Sequence, residues 1–319
     1  MGSKSISAAI NAAGIVGLGG AAFPTHVKIM PSDKKPVHTL VINGCECEPY
    51  LTTDYRLMVE APEAIVARAM LSARAVGALS AYIGIENNKL EAVAALRRAA
   101  AGAGIKIAVL RTKYPQGSEK HLIKAILDRE VPLCGLPSDI GVAMTNVATV
   151  TSVARAVMRR IPLTHRLVSV AGGGIVQPKN LLVPIGISMG ALIDYCGGLR
   201  KTAARIISGG PMMGFAFTNR ATPVTKGTSG ITVLTHEEIR HVERTVCIHC
   251  GRCVDVCPMN LVPTKIALAS RLKDLNLARK YNIMACFECG SCAFACPAGL
   301  PLVQHIRTGK TLIAAEGKR

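Results

Sequence analysis

The sequence predicts an α/β protein in three parts: a doubly wound, mostly parallel sheet, a small β-rich α+β module, and a helical C-terminal segment. Three observations carry this prediction. Strand-like runs alternate with helical ones as far as about residue 160, the pattern of a parallel sheet with crossover helices. From Pro162 the texture changes to short β-like runs between Gly-rich turns. Eight of the twelve cysteines then crowd into residues 247–296. The boundaries expected are 1–162, 163–235 and 236–319.

Taken in order, Ser5–Ala13 is a short helical segment of mostly small residues. It runs into Gly14-Ile-Val-Gly17-Leu-Gly19-Gly20-Ala-Ala-Phe23-Pro24-Thr25-His26-Val27-Lys28. Several glycines let backbone N–H groups approach an anion closely, so this loop suits a phosphate, although an ordinary turn has the same composition. His38–Asn43 reads as a buried strand that delivers Asn43-Gly-Cys-Glu46-Cys-Glu48-Pro49 at its C-terminal end, the edge where open α/β sheets bind ligands. Glu60–Val76 is expected to be helical, Ala78–Ile85 a strand, Lys89–Ala103 a helix and Ile105–Leu110 a third strand. Tyr114-Pro-Gln-Gly117-Ser-Glu119-Lys120 leads into a helix through Leu127, and Thr145-Asn146-Val-Ala-Thr149 opens a helix to about Arg160. In the second part Arg166–Val170, Leu181–Pro184 and Ala204–Ser208 are β-like, with one helix near Ser188–Cys196. Leu275–Tyr281 is the expected spacer helix of the third.

The cysteines read Cys247-x2-Cys250-x2-Cys253-x3-Cys257-Pro258 and then Cys286-x2-Cys289-x2-Cys292-x3-Cys296-Pro297, with 28 residues between Cys257 and Cys286. This doubled run is the two-cluster ferredoxin spacing, in which the fourth cysteine of each copy ligates the other cluster. One [4Fe–4S] cluster is therefore assigned to Cys247, Cys250, Cys253 and Cys296, the other to Cys286, Cys289, Cys292 and Cys257. Structural zinc rarely shows a triple-plus-one spacing twice over. Disulfides need an oxidising compartment, and no secretory signal is evident. Cys45 and Cys47 form C-x-C with no nearby third ligand, and Cys134 and Cys196 read as small buried residues. His249 lies inside the first run, where it either tunes a cluster or stays a surface side chain. Nothing resembles a nucleophilic triad.

At 319 residues, two or three domains are expected, and half of the residues are apolar. A net charge of +18 favours acidic partners or an anionic surface. Nucleic acid is not expected, since no binding motif or aromatic platform accompanies the charge. Neither Ile6–Phe23, interrupted by Asn11 and crowded with glycine, nor Leu181–Ile193, with Pro184, suits a membrane span.

The stretches GIVGLGGAAFPTHVK, INGCECEPYLTTDYRLM, TKYPQGSEKHL, SDIGVAMTNVATV, ISGGPMMG, CIHCGRCVDVCP and CFECGSCAFACP, in this order, resemble the C subunits of the Rnf complexes (RnfC/RsxC), the ion-translocating NADH:ferredoxin oxidoreductases. A more distant likeness, through the Gly-Gly-Ala-x-Phe-Pro-Thr loop, is to the flavin-bearing NADH-dehydrogenase subunit of respiratory complex I. The resemblance implies an FMN in a Rossmann-like first domain, a β-grasp-like (SLBB) module, and a helical two-cluster ferredoxin domain. It would place Gly17, Gly19, Gly20, Lys28, Asn43, Glu46, Gly117, Asn146 and Thr149 around the flavin, and Phe23, Glu48 and Glu119 towards the nicotinamide nucleotide. Cys45 stands where the complex I relative has Asp, and Gly117-Ser118-Glu119 where it has Gly-Glu-Glu. The family also carries a barrel-sandwich domain before the Gly loop, so this chain is expected to be either a piece of a longer protein or a short member.

The implied function is electron input. The protein would exchange a hydride between NADH and FMN, then pass single electrons through the clusters to or from a partner iron–sulfur protein, the B subunit. Its expected location is peripheral, on the cytoplasmic face of the cell membrane, held there by the other Rnf subunits. Two other readings share the motifs: a soluble reductase of the cobalamin-reductase type, and an electron relay whose Gly loop holds no flavin. The residues alone leave roles open. Lys28 suits a flavin charge or solvent, Phe23 a stacking face or plain core, and Glu46 and Glu48 ribose hydroxyls, a flavin edge or an exposed loop.

Overall fold

A computed structural model describes residues 3–28 and 35–317. It forms two compact units, Met1–Glu238 and Ile239–Arg319, each with its own core. The first opens with α1 (Ser3–Ala12), whose Ile6 and Ile10 are buried, and the short α2 (Thr25–Lys28). Then come β1 (Thr39–Asn43), α3 (Thr53–Glu60), α4 (Pro62–Val76), β2 (Ser80–Glu86), α5 (Leu90–Ala99), β3 (Ile105–Leu110), α6 (Glu119–Leu127), β4 (Val142–Asn146) and α7 (Val147–Arg159). The four strands are all parallel, in the order β3-β2-β1-β4.

The period-2 alternation of a strand explains why helices cover both faces. Leu40 and Ile42 of β1 enter one core with α1, α4, α5 and α7, while Val41 joins Val142, Met144 and the α6 residues Leu122 and Ile123 on the other. Each such fully buried aliphatic side chain contributes roughly 1.5–3 kcal/mol.

Three expectations are corrected here. The helix read over Glu60–Val76 begins at Pro62, because Ala61 leaves helical geometry at φ −140° and Pro62 starts α4 at a position that needs no N–H donor. Glu60 therefore closes α3. Thr145 and Asn146 belong to a fourth strand rather than to the helix they precede. The helix expected to reach Ala103 stops at Ala99, since Gly102 and Gly104 both take φ +73°.

A second sheet follows in the same unit, built from β5 (His165–Ala171), β6 (Lys179–Pro184), β7 (Ala203–Ser208), β8 (Phe215–Ala216) and β9 (Gly230–Thr235), with α8 (Met189–Tyr195) between β6 and β7. Its order is β6-β5-β9-β7-β8, with β5 and β9 parallel and the other pairs antiparallel. Val168, Val170, Ile231 and Val233 meet Leu192 and Ile193 of α8 in its core.

The second unit is helical: α9 (Arg252–Asp255), α10 (Pro263–Arg271), α11 (Leu275–Lys280), α12 (Ser291–Ala295) and α13 (Leu302–Glu316). The spacer between the cysteine runs is thus two helices, α10 and α11, where one was expected. Ile266, Ala269, Ala278, Ile283, Val303 and Ile306 form the core. Among the described residues, no helix is long and apolar enough to cross a membrane.

Candidate cofactor sites

The chain leaves β1 towards β2 on one side, and β4 returns to the other side of β1. The switch point, where open parallel sheets leave a crevice for ligands, therefore lies between the paired C-terminal residues Asn43 and Asn146. Both carboxamides lock the backbone that follows. Asn43 Oδ1 accepts the Cys45 N–H (2.9 Å), and its Nδ2 donates to Gly117 O (2.8 Å). Asn146 Oδ1 caps α7 by accepting the Ala148 (2.8 Å) and Thr149 (3.3 Å) N–H groups.

The Gly loop sits over this edge. Gly17 N–H donates to Phe23 O (2.8 Å) and Leu18 N–H to Thr149 Oγ1 (2.8 Å), so the loop is braced at its neck. Its tip is exposed at Gly19, Gly20 and Ala21. A Cβ at Gly19 would lie 3.6 Å from Asn146 Cβ, while one at Gly20, where φ is +104°, would meet nothing within 4 Å. Only glycine adopts that angle without strain. The donor set, a braced loop with an open tip beside the switch point, fits a flavin nucleotide. Phe23 is 52% exposed, a face open to stacking. Lys28 and Glu119 are ion-paired with each other. The structure thus joins residues that the resemblance sends to two different ligands.

Behind the loop lies a half-buried polar cluster. Glu46 Oε1 accepts the Asp54 N–H (3.0 Å) and the Thr53 hydroxyl (3.3 Å), and Oε2 accepts the Tyr55 N–H (3.0 Å). Both oxygens are thereby committed to the N-terminus of α3. Burial raises the Glu46 pKa against the pull of these bonds. Asp54 accepts from Asn146 Nδ2 (2.5 Å), and burial, with the neighbouring Glu46 charge, pushes its pKa up to about 7. Lys89 donates to Glu86 (2.8 Å) and to Glu46 O (3.3 Å). Glu48 points elsewhere: its Oε1 accepts the N–H groups of Met212 (2.7 Å) and Met213 (3.1 Å), and burial raises its pKa. Cys45 and Cys47 are held as neutral thiols, since burial raises both, Cys47 to about 11.

Cys196 is buried as expected but Cys134 is exposed, and the second unit gathers the remaining eight cysteines into two cavities. One is lined by Cys247, Cys250, Cys253 and Cys296, the other by Cys257, Cys286, Cys289 and Cys292. Gly251 (φ +79°) and Gly290 (φ +85°) occupy equivalent left-handed turns before α9 and α12. Among the described residues, no three His, Cys, Asp or Glu side chains converge as they would on a single ion. Four thiols around a cavity suit a polynuclear cluster instead. One of the positions at which the two loops differ pairs His249 with Glu288. His249 is exposed, whereas Glu288 is clamped by Arg307 (2.8 Å) and Lys310 (2.9 Å) of α13.

Sequence reasoning missed Asp54, Arg166 and the buried Glu86–Lys89 pair. Arg166 is 5% exposed and donates through Nη2 to Leu18 O (2.7 Å) and through Nε to Thr228 O. A charged residue near the head of a mostly apolar strand was the one available signal.

Comparison with known proteins agrees with this geometry. Residues 10–155 match the Nuo51 FMN-binding domain family, 167–216 the SLBB domain, and 246–300 the 4Fe-4S dicluster domain. The C subunit of the proton-translocating ferredoxin:NAD(+) oxidoreductase complex of Clostridium ljungdahlii is 46% identical over 99% of this chain and 69% of its own length. Its counterpart in the Na(+)-translocating complex of Acetobacterium woodii is 46% identical, covering 96% of this chain and 70% of the relative. The counterpart in the Rhodobacter capsulatus ion-translocating oxidoreductase complex is 46% identical over 99% of this chain but 61% of its own. The chain thus spans about two thirds of these relatives. A crystal structure of an NAD+-reducing [NiFe]-hydrogenase superposes with a TM-score of 0.65 at 21% identity, covering 96% of this chain and 62% of that one, which shows a shared fold. The chain belongs to the family of C subunits of ion-translocating ferredoxin:NAD+ oxidoreductase complexes.

Proposed function

We propose that this chain is the NADH-linked electron-input subunit of a membrane-associated complex. It exchanges a hydride between NADH and FMN in residues 1–162 and relays single electrons through two [4Fe–4S] clusters in residues 236–319. The partner is an iron–sulfur protein, the B subunit, and the location is peripheral on the cytoplasmic face of the membrane. The observation that carries this reading is the convergence of the Gly17–Gly20 loop with Asn43, Gly117 and Asn146 at the β1/β4 switch point, in a chain whose other unit rings two cavities with four thiols each. When bound, a flavin takes an electron pair and releases it singly, and iron–sulfur clusters carry one electron each.

The residues divide that work. Gly19 and Gly20 leave room for the flavin nucleotide, and Asn43, Asn146 and Thr149 hold the crevice in shape. Glu46 anchors the strand end through α3, and so acts on the site by position. Phe23 offers a stacking face at the nucleotide side, Lys28 at the flavin pairs with Glu119, and Glu48 acts through the Met212 and Met213 N–H groups that it holds. Cys247, Cys250, Cys253 and Cys296 hold one cluster; Cys286, Cys289, Cys292 and Cys257 hold the other.

The test is anaerobic visible spectroscopy of protein reconstituted with FMN and iron–sulfide. Flavin bands that bleach on adding NADH, followed by cluster reduction, are expected. Failure of the reconstituted protein to retain FMN would overturn the reading.

A further inference from the structure

The second sheet lies against the Gly loop at three places, none of which the sequence motifs announced. Lys226 Nζ donates to Gly14 O (2.6 Å) at the start of the loop. Arg166 Nη2, from β5, donates to Leu18 O (2.7 Å) in its middle. A Cβ at Gly227 would stand 3.3 Å from Ala22 Cβ and 3.5 Å from Gly20 O, so the 225–228 turn closes against the far side. Arg166 Nε also donates to Thr228 O, which ties the same guanidinium to that turn.

The Leu18 peptide groups are held from two directions. Thr149, on α7 of the first sheet's layer, takes the N–H (2.8 Å), and Arg166 takes the C=O. A trans peptide is planar, with the C=O of one residue and the N–H of the next pointing in opposite directions. Fixing Leu18 O against Arg166 therefore aims the Gly19 N–H away from the protein interior, on the exposed side of the loop. Arg166 is also costly to bury: its pKa is pulled down to about 10, chiefly by burial, and Asp54 is the acid that opposes this. A side chain kept there at such cost, whose hydrogen bonds among the described residues go to backbone carbonyls, has a geometric task.

We propose that Arg166 is a positioning residue for the flavin site, and that with Lys226 it makes the second sheet the rear wall that turns the Gly19 N–H towards an acceptor atom of the flavin nucleotide. This rests on the flavin reading above. The acceptor is an oxygen or nitrogen of the FMN, on its phosphate or on its ring.

The test compares the full chain with Arg166→Met and Arg166→Lys, measuring the dissociation constants of FMN and riboflavin by fluorescence, the midpoint potential of bound flavin, and iron content. Arg166→Met should weaken FMN at least tenfold with iron unchanged, and Arg166→Lys, which keeps a charged donor, should restore most of the affinity. If the acceptor is the phosphate, riboflavin binding is unaffected by Arg166→Met; if it is the ring, riboflavin weakens in parallel and the potential moves. Lys226→Met, at the loop's start, should give a smaller loss and serves should Arg166→Met fail to fold. Unchanged FMN affinity in Arg166→Met overturns the proposal. So does equal loss in Met and Lys variants together with a lowered thermal transition, since that marks a scaffold role only. Wild-type protein that binds neither flavin would instead defeat the flavin reading, and this proposal with it.

Discussion

Asn43 and Asn146 stand side by side in register as the last residues of two adjacent parallel strands, and each folds its carboxamide oxygen back onto the N–H two residues ahead. The amide nitrogens then diverge, one to Gly117 O and the other to Asp54. One side-chain type, used twice, holds both lips of the switch-point crevice.

Replacing Asn146 with Ala removes the α7 cap, a loss of about 1 kcal/mol, and leaves Asp54 without its donor, adding roughly 1–3 kcal/mol. Urea denaturation of the first unit should show a lowered midpoint, and flavin affinity should fall with it. Wild-type stability in Asn146→Ala would mean that the cap is redundant.

Asp54 predicts a pH dependence of stability. Its folded pKa, about 7, lies above the ordinary 3.8 because burial disfavours the charged form. The native state thus binds more protons than the unfolded chain between about pH 4 and 7. Its contribution is greatest below that window and is lost as pH rises through 7. Asp54→Asn, which can still accept from Asn146, should flatten the fall of stability between these pH values. Parallel wild-type and variant curves would show that Asp54 does not titrate there.

The crossed thiol sets predict paired losses. Cys257→Ser should remove the same cluster signal as Cys289→Ser, and Cys296→Ser the same one as Cys250→Ser, by electron paramagnetic resonance, each with iron reduced to about half. If Cys257→Ser instead matched Cys250→Ser, each run would be holding its own cluster.

Glu48 ties the strand end to the 209–214 loop through the Met212 and Met213 N–H groups. Hydrogen exchange at those two amides should quicken in Glu48→Ala and much less in Glu48→Gln, which keeps an acceptor. Gly210→Ala should be destabilising in its own right, because the added Cβ would fall 2.1 Å from Glu48 Cγ. Unaltered exchange in Glu48→Ala would detach the carboxylate from this loop.

How much was legible before folding depended on the range of each interaction. The cysteine runs could be read directly because three thiols within seven residues are brought together by one turn, and the doubled spacing names their crossing partners. The Gly loop and the Asn43–Glu48 strand end were legible for the same reason, as local chemistry at a predicted edge. The start of α4 was not, since Glu60 and Ala61 read as its first residues until Pro62 is given its place at N1, and α3 before it went unread. Strand β4 hid behind the helix signal of the residues that follow it.

By itself, then, the sequence determined the order of the three parts, the two sets of thiols, and the glycine loop beside a strand end. These are encoded in spacing along the chain. Only the tertiary structure decided that Lys28 meets Glu119, that Glu46 spends both oxygens on α3, and that Arg166 reaches across 148 residues to Leu18. The physical reason is burial. Desolvation sets which polar groups must find partners, and those partners are chosen by packing, which spacing does not record.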